Sequence, residues 1–214
     1  MVLRRALDRL NPGTLIVTPY PLGSESTYGW TQPPHGELTD LLAAGEDDYR
    51  RVLSGAEKVL DDLRTIARTS DTADAATHAP WWENSYFSSL DAVVLYSEIV
   101  QRSPATYFEV GSGHSTRFVA HAIRTHGLDT RIVSVDPSPR AEVDALCDEF
   151  HRSPFEAFDL DTVRLEAGDV VLIDGSHVAT MGSDVIRAFL EFLPTVPPGV
   201  LVGIDDIFLP WDYP

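Results

Sequence analysis

Cysteine and basic residues are scarce in this chain of 214 residues. Its single cysteine, Cys147, excludes an internal disulfide and a multi-cysteine zinc site, and is typical of a reducing compartment. Sixteen lysines and arginines stand against thirty-three aspartates and glutamates, which gives a net charge of -17. Because such a surface repels phosphate backbones and anionic headgroups, we expect neither nucleic acid nor membrane as a partner.

Long hydrophobic runs are also missing. No apolar stretch approaches the roughly 18 residues that a membrane span needs. Residues 1–15 contain basic side chains but no continuous apolar segment, so we expect no secretory signal and a cytoplasmic location. Hydrophobic residues nevertheless make up 43% of the chain, which is enough for one domain with a sizeable core.

The first 80 residues differ in pattern from the rest of the chain. The first 36 are rich in Pro, Gly, Ser and Thr and predict an irregular arm. Apolar spacing over residues 37–68 predicts two helices that Gly45 separates, and a linker of small residues follows at 69–80. This N-terminal arm and helical extension, residues 1–80, is expected either to cover a site as a lid or to form the interface of a homo-oligomer.

Residues 81–214 alternate between helical and strand patterns. Short apolar segments predict strands at 105–110, 131–135, 162–165, 169–173 and 200–204. Amphipathic segments predict helices at 90–102, 115–124, 140–150 and 184–193. Apolar strands separated by helices predict an α/β fold with a doubly wound, Rossmann-like, mostly parallel sheet and helices on both faces.

The first two predicted strands end in residues that suit a nucleoside. Glu109 precedes a loop in which Gly111 and Gly113 allow a tight turn and close approach of the backbone to a ligand. Asp136 ends the second strand, at a spacing where a carboxylate reaches ribose hydroxyls. Thr116 stands where a dinucleotide fingerprint has its third glycine, which disfavours NAD and FAD.

Carboxylates end the last two predicted strands. Asp174 follows one of them, and Asp205 with Asp206 follows the other. Neighbouring carboxylates repel one another unless a cation compensates, and Mg²⁺ prefers such oxygen ligands. The alternative is that Asp174 caps the next helix and that Asp205 and Asp206 form a solvated turn.

His177 follows Asp174 by three residues. An imidazole with an ordinary pKa near 6.5 can accept a hydroxyl proton close to neutrality. A lone histidine is more often an incidental surface or core residue, but this one is predicted to lie beyond the carboxyl end of a strand. We therefore interpret it as a candidate general base.

Four segments in this order resemble the class I S-adenosylmethionine-dependent methyltransferases: "YFEVGSGHST", "VSVDPS", "DVVLIDGSHVATMGSDV" and "LPTVPPGVLVGIDDIFLPWDYP". The resemblance covers roughly residues 82–214. It is greatest to the metal-dependent branch that methylates hydroxyls of small molecules such as sugars and macrolides.

The resemblance implies a role for each matching position. Four loop residues would line the methionine part of S-adenosylmethionine: Glu109, Gly111, Ser112 and Gly113. Asp136 would hold the ribose hydroxyls, and Asn84 would help to close the pocket. Asp174, Asp205 and Asp206 would bind Mg²⁺. His177 would be the catalytic base for a small-molecule hydroxyl acceptor.

The chain departs from that family after the last predicted strand. Members usually have a sixth and a seventh strand, and only residues 207–214 follow here. The methyltransferase core, residues 81–214, is therefore expected to be shortened at its C-terminus.

Two other functions remain open on the sequence. One is an NAD-linked oxidoreductase, which the missing third glycine disfavours. The other is a module that binds the cofactor without catalysing a reaction.

Overall fold

The computed structural model describes residues 26–29, 31–74, 78–87, 89–139 and 142–212. Within them, five strands form one parallel sheet: β1 (Thr106–Val110), β2 (Arg131–Val135), β3 (Glu149–His151), β4 (Val170–Ile173) and β5 (Leu201–Ile204). The strand order is β3-β2-β1-β4-β5, and every neighbouring pair is parallel. The predicted fold class, a Rossmann-like α/β sheet with helices around it, is confirmed.

The α-helices in the described ranges are α1 (Gly36–Ala44), α2 (Glu46–Glu57), α3 (Leu60–Leu63), α4 (Ser89–Arg102), α5 (His114–His126) and α6 (Asp184–Arg187). A π-helical turn, Ala188–Phe192, continues α6. Short 3-10 turns are Ser70–Thr72, Asp144–Leu146, Phe155–Ala157, Leu160–Thr162 and Leu193–Thr195. The predicted separation of two helices at Gly45 is confirmed, because α1 ends at Ala44 and α2 begins at Glu46.

Alternate residues of the strands supply two hydrophobic cores, one on each face of the sheet. Tyr107 and Ile132 point to a core that includes Phe118 of α5. Phe108 and Val133, one residue further along each strand, point to a core that includes Phe192. Parallel strands buried on both faces require this continuous apolar character.

Two predicted elements are wrong. The helix predicted at 140–150 begins with residues outside the described ranges, and its described part contains only a 3-10 turn before β3 begins at Glu149. The chain joins the sheet edge here because Asp148 exchanges two hydrogen bonds with the backbone of Ile132. The strand predicted at 162–165 is also absent from the described chain, where the 3-10 turn capped by Asp159 occupies its beginning.

A buried carboxylate joins β1 to the segment before β4. Asp169, which is 3% exposed, accepts hydrogen bonds from the backbone N–H groups of Thr106 and Glu166, each over 2.8 Å. Its carbonyl oxygen accepts from Leu201 at the start of β5. Asp169 thus connects three segments at the amino ends of the strands.

The chain divides into two compact units. One comprises the described residues of 1–43 and of 208–214, and the other those of 44–207. In the first unit, Thr27 donates its N–H to Asp212, and His35 donates its N–H to the Pro210 carbonyl. The second unit contains the whole sheet and every predicted site residue. These units do not test the domain boundary predicted at residue 80, which stays a prediction. None of the helices in the described ranges has the length and apolar character required for a transmembrane span.

Candidate functional site

A cavity of about 310 Å³ opens at the carboxyl ends of β1, β2 and β4. The strand order reverses between β1 and β4, which is where doubly wound sheets bind ligands. The cavity is lined by residues 110–115, 135–138, 154–156 and 174–176, together with Tyr86, Phe87 and Asp184. The fold therefore brings the segments that follow four strands, β1 to β4, around one space.

The glycine loop begins at a position where a side chain does not fit. Gly111 has a φ of +83°, and a Cβ added to it would lie 1.8 Å from the carbonyl oxygen of Asp174. Its N–H donates to the carbonyl of Val135. The loop after β1 is thereby held between β2 and β4, with Gly111, Ser112 and Gly113 all lining the cavity. Their predicted binding of the cofactor stays a prediction.

Asp136 also lies in the cavity wall. Its Oδ2 accepts hydrogen bonds from the N–H and the hydroxyl of Ser112, and its Oδ1 accepts from the N–H of Ser138. These bonds fix the carboxylate at the end of β2, where a ribose diol can donate to it.

Glu109 does not line the cavity, and its predicted contact with the cofactor stays a prediction. Its side chain is fully buried, and the residue is not part of the cavity wall. Four hydroxyl groups donate to its carboxylate, from Tyr107, Ser115, Thr116 and Ser134. Burial raises the pKa of Glu109 to about 7, against the lowering effect of these hydrogen bonds. The structure therefore places Glu109 beneath the glycine loop.

Asn84 organises the segment before α4 and does not line the cavity. Its amide nitrogen donates to the carbonyls of Trp81 and Phe87, and its Oδ1 accepts from the N–H groups of Tyr86 and Phe87. The turn that results places Tyr86 and Phe87 in the cavity wall. Direct binding of a cofactor by Asn84 stays a prediction.

His177 lies between two of the predicted carboxylates. Its Nε2 is 3.2 Å from Oδ1 of Asp174 and 3.5 Å from Oδ2 of Asp206. The hydrogen bond to Asp174 raises the pKa of His177 above its usual value, although burial opposes this effect. His177 and Asp206 both have positive φ angles, 57° and 53°, which are uncommon for residues other than glycine. The proximity expected for the ends of β4 and β5 is therefore present.

Two further acids in this region, Asp91 and Asp184, escape sequence reasoning. Asp91, in the first turn of α4, has a raised pKa, mainly through burial and also through the nearby charge of Asp206. Asp205 has its pKa raised to about 6, by burial first and then by Asp174, Asp91 and Asp206. The only signal for Asp91 in the sequence is an acidic residue at a helix start, which usually serves the helix alone.

Asp184 is the second such acid and supports the loop after β4. It is 8% exposed and accepts hydrogen bonds from the N–H and the hydroxyl of Ser176. A Cβ on Gly175 would lie 2.2 Å from its Oδ2. Asp184 therefore determines the path of the residues between Asp174 and His177.

The predicted Mg²⁺ site finds no support in this geometry. Among the described residues, no group of three or more His, Cys, Asp or Glu side chains is arranged to hold a metal ion. Asp174 and Asp206 both face the His177 ring, so a protonated imidazole can offset part of their repulsion.

Residues 108–207 match a protein-family model described as a methyltransferase domain. No curated protein and no solved structure matches the chain. The match begins within β1 and ends after β5, and it supports a class I S-adenosylmethionine-dependent methyltransferase. Residues 108–207 are therefore similar to a methyltransferase domain, and such a domain implies S-adenosylmethionine as the methyl donor.

Proposed function

We propose that the protein transfers a methyl group from S-adenosylmethionine to a hydroxyl of a small molecule, such as a sugar or a polyketide. The observation that carries this proposal is the contact of His177 with Asp174 and Asp206 beside the cavity. A histidine oriented by carboxylates is an arrangement that can abstract the proton of a hydroxyl.

The residues present suit the methyl donor. Asp136 offers acceptor oxygens for ribose hydroxyls, and the turn at Gly111 exposes backbone to the same cavity. When bound, S-adenosylmethionine supplies an activated methyl group on a sulfonium. The contribution of the protein is then to hold donor and acceptor in line.

His177 removes the proton of the acceptor hydroxyl. In the neutral ring, Nε2 keeps its hydrogen toward Asp174, and Nδ1 is the nitrogen that accepts the proton. The same carboxylates favour the protonated ring, so His177 has to release that proton before it can act as a base. Asp174 and Asp206 orient the ring and stabilise the imidazolium that forms.

The magnesium requirement implied by the resemblance is a separate prediction. Asp174, Asp205 and Asp206 supply the oxygen atoms that Mg²⁺ prefers, but they do not form a ligand cluster as they stand. No step of the proposed reaction depends on the ion.

Calorimetry on the whole chain tests the choice of donor. We expect binding of S-adenosylhomocysteine and no binding of NAD, and Asp136→Asn should weaken the former about 10-fold through the lost ribose contact. The matched control is Asp129→Asn, at an exposed residue outside the cavity, which should leave the affinity unchanged. Binding of NAD alone would overturn the proposal in favour of an oxidoreductase.

Turnover tests the base. With a hydroxyl acceptor found by screening sugars and polyketides, His177→Gln should lower kcat about 100-fold or more and leave the affinity for S-adenosylhomocysteine unchanged. His126→Gln is the matched control, since His126 also lies 3.2 Å from an aspartate, but that aspartate, Asp62, does not line the cavity as Asp174 does. Equal turnover of the two variants would remove His177 from the mechanism.

A further inference from the structure

A second cavity lies on one face of the sheet, toward the amino ends of β1, β2 and β3. It has a volume of about 130 Å³. The first residues of these three strands, Thr106, Arg131 and Glu149, all contribute to its wall. It shares no lining residue with the cavity at the carboxyl ends of the strands, so the proposed methyl transfer gives it no role.

The second cavity results from the way in which the chain crosses from β3 to β4. Between these strands, where every residue is described, the chain forms no α-helix. It crosses the sheet face in two 3-10 turns, Phe155–Ala157 and Leu160–Thr162. Residues 162–164, at the end of the second turn, complete the cavity wall. Because such short turns cover less of a sheet than an α-helix does, space remains over β2 and β3.

The floor of the second cavity is apolar and aromatic. Phe108, Val133 and Phe158 line it and are buried. The ring centroids of Phe108 and Phe158 are 6.1 Å apart, and the ring of His151 lies 4.9 Å from that of Phe158. An apolar cavity of about 150 Å³ can hold one benzene molecule, so this space is close to the size of a single aromatic ring.

The exposed rim of the second cavity carries a positive charge without a counter-ion. Arg131 is paired with Glu149, whose other carboxylate oxygen lies 3.5 Å from Nε2 of His151. Arg164, also at the rim, forms no ion pair with any residue that the structure describes. Two arginines against one glutamate leave at least one positive charge here, although the whole chain has a net charge of -17.

The guanidinium of Arg164 is held in place by its own turn. Its Nη1 donates to the carbonyl oxygens of Asp161 and Val163, over 2.5 Å and 2.8 Å. Its Nε and Nη2 have no hydrogen-bond partner in the described parts of the chain. These two nitrogens form the side of a guanidinium that can bind both oxygens of a carboxylate.

We propose that the second cavity binds a small aromatic carboxylate, with its ring over Phe108 and Phe158 and its carboxylate on Nε and Nη2 of Arg164. The floor favours a ring because removing apolar surface from water is favourable, and the rim favours an anion. An inorganic anion would leave the floor without a contact, and an uncharged ring would leave Arg164 without a counter-ion. This site is separate from the proposed methyl transfer.

Three small molecules test both parts of the proposal on the full wild-type chain. In an NMR titration of ¹⁵N-labelled protein, benzoate should bind with a Kd of about 1 mM. Acetate lacks the ring and benzyl alcohol lacks the charge, so each should bind about 10-fold more weakly or worse. The amide signals of Phe108, Val163 and Arg164 should shift with benzoate. The titration needs no methyl donor, so its result does not depend on the proposed function.

Two variants test the role of the cation. Arg164→Gln should weaken benzoate about 10-fold and change benzyl alcohol less than about 2-fold. Arg152→Gln is the matched control and should change neither, because Arg152 is an exposed arginine that pairs with Asp144 and lies outside the second cavity. Arg164→Glu should reverse the preference, so that benzylamine binds more tightly than benzoate. Thermal unfolding establishes that each variant is folded.

The results that would overturn the proposal are distinct. No shift with benzoate at roughly 10 mM would mean that the site does not exist. Equal binding of acetate would indicate a general anion site, and equal binding of benzyl alcohol would remove the carboxylate from the recognition. Shifts confined to Gly111–Gly113 would place benzoate in the other cavity. Equal affinities in Arg164→Gln and Arg152→Gln would exclude a direct contact with Arg164.

Discussion

The hydroxyl of Thr116 donates a hydrogen bond to Oε1 of Glu109 over 2.6 Å and accepts one from the N–H of Gly113 over 3.0 Å. The buried carboxylate is thus connected to the glycine loop through one side chain. We therefore expect a change at Glu109 to affect the cavity wall, although Glu109 itself does not line the cavity.

Replacing Thr116 with Val should therefore weaken both the fold and donor binding. The variant removes one of the two hydroxyl donors to Oε1 of Glu109 and leaves the N–H of Gly113 without its partner, which costs about 1–3 kcal/mol of unfolding free energy. We expect S-adenosylhomocysteine to bind about 10-fold more weakly by calorimetry. Thr116→Ser keeps the hydroxyl and is the control. If both variants bind S-adenosylhomocysteine equally well, the hydrogen bonds of the Thr116 hydroxyl do not affect donor binding.

Stability should depend on pH through Glu109. The pKa of this carboxyl is about 7 in the folded protein and 4.5 ordinarily, so the folded state holds the proton more tightly and loses stability as pH rises through 7. Between about pH 5.5 and about pH 8 the loss amounts to roughly 2 kcal/mol of unfolding free energy. Glu109→Gln cannot titrate, so urea unfolding should show a correspondingly smaller loss. Parallel curves for wild type and variant would contradict this assignment.

Gly111→Ala should be among the most destabilising small substitutions in the chain. The new methyl group would overlap the Asp174 carbonyl, and the φ of +83° disfavours any side chain. We expect a loss of about 3 kcal/mol or more in denaturant unfolding, together with loss of S-adenosylhomocysteine binding. Gly36→Ala, where an added Cβ meets no atom within 4 Å, is the control and should cost little. A similar stability for the two variants would argue against the close approach of β1 and β4.

Chelation tests the magnesium prediction. If the ion takes part, EDTA should abolish turnover, added Mg²⁺ should restore it, and Asp205→Asn should weaken the response to the metal. Asp161→Asn, at an exposed acid outside the cavity, is the control. Turnover that survives EDTA and is unchanged in Asp205→Asn would contradict the magnesium prediction.

The sequence predicts the central strands well because each is a short apolar run that ends at a polar turn. The strand predicted at 105–110 is observed at Thr106–Val110, and that at 200–204 at Leu201–Ile204. β3 escapes prediction because it is three residues long and has a charged start. Its position depends on the bonds of Asp148 to Ile132, a contact that local pattern does not reveal.

The candidate site also contains features that the sequence predicts and features that it does not. The proximity of His177 to Asp206 follows from two neighbouring parallel strands whose ends meet at one edge. The burial of Glu109 follows only from the alternation that places it on the same face as Tyr107, beneath the hydroxyls of α5. The turn at Asn84 and the support of Ser176 by Asp184 depend on loop closure, which a single sequence does not specify.

Asp169 has a consequence for the opposite end of the sheet. Its bonds to Thr106 and Glu166 lock the alignment of β1 with β4 at their amino ends, away from the cavity. A slip of one residue between these strands would move Gly111 away from Asp174 and bring a bulkier neighbour against that carbonyl. Asp169 does not line the cavity, but it fixes the strand alignment on which the shape of the cavity depends.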